Sequence, residues 1–123
     1  MMEMEKFLYI PVEGPMEIHE IPIDELPQVF FDRVRELVGC KWVEFVHCGE
    51  YILLVDELGK VMDPVKPENP RASLLYPGTD FGDPIVGNCL IGAQGFRYGE
   101  PDIVGLSPAQ LQILRGFFIA TGM

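Results

Sequence analysis

The sequence predicts an α+β fold in which a mixed, mostly antiparallel sheet packs against two main helices, at about residues 24–38 and 107–120. Three observations lead there. The strand-like runs at 7–10 and 16–18, and those at 41–47 and 51–56, are joined by connections of a few residues, which suit hairpins better than the long crossovers of parallel strands. Two segments carry apolar residues at three- and four-residue spacing, the mark of a helix with one buried face. Strands and helices alternate irregularly and no linker-like stretch interrupts them, so residues 1–123 read as a single domain.

Phe7-Leu8-Tyr9-Ile10 is a β-rich run stopped by Pro11, and Glu13-Gly14-Pro15 supplies turn chemistry before Met16 and Ile18 resume alternation. An opening hairpin follows. Met16 and Ile18 share one parity and Ile21 and Ile23 the other, which predicts a bulge or strand end near His19-Glu20, with Pro22 ending the pairing. Asp24 is a suitable N-cap and Pro27 falls in the first helical turn. Leu26, Phe30, Val34, Leu37 and Val38 then lie on one face, and Gly39 fits a left-handed C-terminal cap.

The runs 41–47 and 51–56 form two strands joined by Cys48-Gly49-Glu50, and the second is apolar enough throughout to be a central strand covered on both faces. After the turn 57–60, Val61-Met62 is expected to pair back briefly. Residues 63–70 hold three prolines, so they form an ordered surface loop and not a central strand. A short helical turn is expected at 71–76, a loop at 77–84, a strand with a bulge at Gly87 over 85–91, and a glycine-rich connection over 92–101. Residues 102–105 suit a last short strand. Ser107-Pro108-Ala109-Gln110 has the form of a capping box, opening a helix that presents Leu111, Leu114, Phe117 and Phe118 to the core. Trp42, Phe45, Leu53, Phe30, Leu90 and Leu114 are expected to be largely buried.

Charge narrows the functional classes. Nineteen Asp and Glu against nine Lys and Arg give a net charge of −10, which disfavours direct nucleic-acid binding and anionic membrane surfaces. The longest apolar runs are far short of the roughly 20 residues of a membrane span. Met1-Met2-Glu3-Met4-Glu5 lacks the basic region of a secretory signal, so a cytoplasmic location is expected. Cys40, Cys48 and Cys89 are an odd set at long spacings, which suits reduced thiols.

Several stretches carry a family likeness. Arg35-Glu36-Leu37-Val38-Gly39-Cys40 through Glu44-Phe45-Val46, then Ile52-Leu53-Leu54-Val55-Asp56-Glu57-Leu58-Gly59-Lys60, resemble a domain-of-unknown-function family of small proteins carried by phages and plasmids of Gram-positive gut bacteria. Asp83-Pro84-Ile85-Val86-Gly87-Asn88-Cys89-Leu90-Ile91-Gly92 is similar to that family's strand after its central loop, and Asp102-Ile103-Val104-Gly105-Leu106-Ser107 to its entry into the last helix. Asn69-Pro70-Arg71-Ala72 matches its Asn-Arg-Ala-like stretch with an inserted proline. The resemblance runs from Lys6 to about Phe118 and implies, through its mobile-element setting, roles such as antirestriction, host takeover or regulation.

No catalytic set, metal-ligand spacing or cofactor motif stands out. His47-Cys48 with Cys40 and Cys89 lacks the closely spaced pairs of a zinc site, and neighbouring strand residues point to opposite faces, so His47 and Cys48 should not meet. The carboxylates of Asp56-Glu57 and of Asp80 and Asp83 sit in turn chemistry without a calcium-loop pattern. The leading expectation is a non-enzymatic acidic protein that binds another protein of a mobile element or its host. Its contact surface is placed on the loops holding Pro67 and Pro70 and on Phe96, Arg97 and Tyr98, residue types favoured at interface hot spots. Two alternatives stay open: an acidic DNA mimic using Glu13, Glu17, Glu20, Asp24 and Glu25, and a small hydrolase or thiol enzyme using a Cys/His pair.

Overall fold

The computed structural model describes residues 3–23 and 27–122. Its strands are β1 (Glu3–Ile10), β2 (Glu17–Ile23), β3 (Val43–Cys48), β4 (Tyr51–Asp56), β5 (Cys89–Arg97) and β6 (Glu100–Val104). Its helices are α1 (Pro27–Val38), the short α2 (Pro70–Ser73) and α3 (Pro108–Ala120), with a 3-10 turn at Pro77–Phe81. The sheet runs β2-β1-β5-β4-β3, with β6 also on β5, and every strand pairing is antiparallel. β5 carries β4 along one edge and, on the other, β1 beside Cys89–Ile91 and then β6 beside Ala93–Arg97.

Strand alternation sends apolar side chains to both faces, and a helix covers each. On one face Phe7, Ile21, Ile52, Leu54, Leu90 and Ile103 pack with Phe30, Val34 and Val38 of α1. On the other, Leu8, Ile10, Leu53, Val55, Cys89 and Ile91 pack with Ala72 of α2 and Leu114 and Phe118 of α3. β4 is the doubly covered central strand its unbroken apolar run predicts, with every residue from Ile52 to Asp56 buried. Gly39 closes α1 with φ +76°, its amide donating to the Arg35 carbonyl at 2.8 Å. The Ser107–Gln110 capping box opens α3. The N-cap expected at Asp24 and the face position of Leu26 lie outside the described residues.

Five expectations are corrected. β1 and β2 pair in one unbroken register from Glu3↔Ile23 to Tyr9↔Glu17, with no bulge at His19-Glu20. The change of parity arises because Ile18 is an exposed residue of an edge strand, not a core residue, and an edge strand also tolerates Pro22. Residues 92–101 are not a connection: β5 extends to Arg97 and turns through Tyr98-Gly99 into β6. Residues 85–88 lie outside β5, and their β pairing among the described residues is an isolated bridge, Val86 to Glu68. Val61-Met62 stays in an exposed turn, its two amides donating to the Leu58 carbonyl, and pairs with no strand among the described residues. Trp42 is 61% exposed, preceding β3 and belonging to neither core cluster, and Phe45 is only half-buried. Phe30, Leu53, Leu90 and Leu114 are buried as expected.

Candidate functional site

The β5–β6 hairpin gathers the features that set this face apart. Gly99 at φ +81° makes the turn, and Tyr98 beside it takes φ +53°, a left-handed conformation that costs a residue with a side chain roughly 1–2 kcal/mol. Tyr98 is 90% exposed and Phe96 73%. Between them the Arg97 guanidinium turns inward: Nη1 donates to Glu5 Oε2 and Nη2 to Glu5 Oε1, both at 3.0 Å, and Nε and Nη2 also donate to the Ile103 carbonyl. Asp102 lies 3.5 Å from Arg97 Nε. Burial opposes ionisation of Glu5, but the Arg97 guanidinium and the Gly105 N–H at 2.5 Å outweigh it and hold the carboxyl below its ordinary range. Arg97 therefore anchors the hairpin, and the two aromatics are what it displays.

A groove of about 470 Å³ opens beside the hairpin on the α1 face, where the helix does not reach. Phe45, Ile52 and Ile103 line it with Phe96, His47 and Gln94. Gln94 Nε2 donates to the Gly49 carbonyl at 2.8 Å, so its second hydrogen meets His47 Nδ1 at 3.2 Å as an acceptor. Gly92 and Gly95 leave room for the side chains and backbone packed against them: a Cβ on Gly92 would stand 2.9 Å from Phe7, Ile103 and the Val104 carbonyl, and one on Gly95 2.6 Å from the Val104 side chain.

The proline loop is a separate region. Pro67 and Pro70 are exposed, while Asn69 between them is fully buried and caps α2, accepting from Ala72 N at 3.1 Å. Its amide donates to the Ile10 and Gly87 carbonyls at 2.9 and 3.0 Å, and Arg71 reaches the Pro11 carbonyl at 2.7 Å. The Asn69-Pro70-Arg71-Ala72 stretch thus ties the loop to the end of β1. Nothing places this loop in one surface with the hairpin.

The other candidate residues are dispersed. Glu13, Glu17 and Glu20 are exposed, but Glu17 and Glu20 fall on opposite faces of β2, and Glu20 stands across from Lys6. They form no ridge, and Asp24 and Glu25 lie outside the described residues. His47 faces the groove while Cys48 joins the opposite core. Burial raises the Cys40, Cys48 and Cys89 thiols above their ordinary value, Cys89 most of all, so none is primed as a thiolate. His19 contacts Glu17 at 3.4 Å and stacks edge-on with Tyr9. Among the described residues no group of three or more His, Cys, Asp or Glu is placed to hold a metal ion, and no helix is long and apolar enough to cross a membrane. The Glu5–Arg97 clamp and the His47–Gln94 contact had no signal in the sequence, since their partners are separated by 92 and 47 residues.

No curated protein sequence matches the chain. The solved structure of a small RNA methyltransferase HEN1 is similar over 94% of this chain, with a TM-score of 0.57 and 19% identity, which shows likeness of fold alone. The chain spans 16% of that protein's length. Residues 4–119 match the family described as domain of unknown function DUF3846, and the chain belongs to that family.

Proposed function

We propose that this protein is a non-enzymatic protein-binding module, acting in the cytoplasm on a partner protein of a mobile genetic element or its host. One observation carries the reading: Phe96 and Tyr98 are held out to solvent on a hairpin whose backbone is fixed by the Arg97–Glu5 clamp. Aromatic side chains carried on a backbone already held in place leave less ordering to be done on docking, so they serve as anchors. The left-handed Tyr98 supports this, because glycine would satisfy that turn at lower cost. The adjoining groove offers apolar surface with His47 and Gln94 at its wall. The mobile-element setting is supported by the sequence resemblance, and the net charge of −10 favours a partner with a basic surface.

The test is capture of partners from a host lysate by the native protein and by a Phe96→Ala/Tyr98→Ala variant, leaving Arg97 in place. The native protein should retain a specific partner that the variant loses. Equal retention by both overturns the assignment of this surface, and co-purification of a metabolite without a protein overturns the binding-module reading.

A further inference from the structure

The free edge of β3 is built to accept another strand, and we propose that it pairs with β3 of a second copy of this chain to make a two-fold symmetric dimer with a continuous sheet. β3 ends the strand order, and nothing among the described residues pairs with its outer side. Its hydrogen-bonding pattern follows from its hairpin. A two-residue turn, Gly49-Glu50, closes on Cys48↔Tyr51, so Cys48, Val46 and Glu44 bond inward to β4. The Glu57 amide donating to the Trp42 carbonyl at 2.9 Å continues that alternation. The amides and carbonyls of Val43, Phe45 and His47 therefore all point outward.

The sheet's other outer strands carry the devices that block such pairing, and β3 does not. β2 holds Pro22 together with Glu17 and Glu20, and β6 holds Pro101 between Glu100 and Asp102. β3, with the sequence Val-Glu-Phe-Val-His-Cys, has no proline, no bulge and one charged residue. A second copy fits this edge by symmetry. A two-fold axis normal to the sheet and passing through Phe45 sets Phe45 against Phe45 of the second copy, Val43 against His47 and Glu44 against Val46. That register brings every outward residue into a hydrogen-bonded pair and opposes no like charges directly. It also covers the half-buried Phe45 with an aromatic partner and places the exposed Trp42 opposite Cys48 of the second copy, at the foot of its turn.

Sedimentation velocity over a range of protein concentrations tests the dimer. Native protein should shift from monomer to dimer with concentration, and more readily with added salt, because each copy carries a net charge of −10. His47→Pro removes an outward amide without touching a bond to β4, so it should remain monomeric with unchanged circular dichroism. Mixing copies of different isotope labelling should give contacts between Val43 of one and His47 of the other, a readout that needs no variant. A native protein monomeric at every concentration, a dimer undiminished in a folded His47→Pro variant, or a dimer without the Val43–His47 contact overturns the proposal. None of these outcomes depends on the partner proposed for the aromatic hairpin.

Discussion

Arg97 and Glu5 meet in a two-pronged ion pair, both prongs 3.0 Å, which fastens the tip-bearing strand β5 to the start of β1 across 92 residues of sequence. The same carboxylate also receives the Gly105 amide, so three elements depend on one acid.

The pH dependence follows from that geometry. The folded Glu5 carboxyl titrates below its ordinary value, so its stabilising contribution is complete above the unfolded glutamate range and fades as pH falls through the lowered folded value. Glu5→Gln should lower stability at neutral pH and flatten the acid limb of a stability profile. Urea denaturation at a series of pH values checks this, and parallel acid limbs in the two proteins would contradict it.

Asn69→Ala should be among the most damaging polar substitutions. It strands the buried Ile10 and Gly87 carbonyls and the Ala72 amide, and losses of this kind cost about 2–4 kcal/mol together. Asn69→Asp should be nearly as costly, because its side chain keeps the cap but cannot donate. Denaturation midpoints decide both.

Phe30→Ala and Leu114→Ala probe opposite faces of the sheet. Each should cost about 2–5 kcal/mol, since both side chains are buried against a helix-to-sheet core. Trp42→Ala should change stability by no more than about 0.5 kcal/mol, as expected of an exposed residue with no core role. Thermal unfolding of the three variants compares them directly.

Tyr98→Gly separates stability from binding. Glycine accepts φ +53° freely, so the variant should be as stable as the native protein or more so by about 1 kcal/mol. It should nonetheless lose partner capture. Reduced stability in a melting curve would show that Tyr98 packs in a way its exposure does not reveal.

Local signals were the legible part of the sequence. The Ser107–Gln110 box, Gly39 and the apolar run of β4 each depend on residues within a few positions of one another, and all three appear where expected. Gly92, Gly95, Gly99 and Pro101 were misleading because glycine and proline usually interrupt strands. Here Gly92 is needed where Phe7, Ile103 and a backbone carbonyl crowd the strand, and Pro101 sits on an outer strand. Trp42 shows the converse: a large apolar residue is buried only if an element covers it, and coverage is a tertiary fact. At the candidate site the exposed aromatics were visible as residue types. The role of Arg97 was not, because its partner lies in another strand far along the chain.

The central position of β5 bears on how the chain emerges during synthesis. The β1–β2 and β3–β4 hairpins each join neighbouring segments, yet among the described residues it is β5 that hydrogen-bonds them into one sheet, pairing with β1 and β4 at once. Until Arg97 has left the ribosome, the nascent chain carries two half-sheets whose inner edges are unpaired and rich in apolar side chains. Such edges are competent for mispairing between chains. Chaperone demand should therefore peak late in translation, and chains cut short before Cys89 should aggregate instead of accumulating as smaller folded pieces.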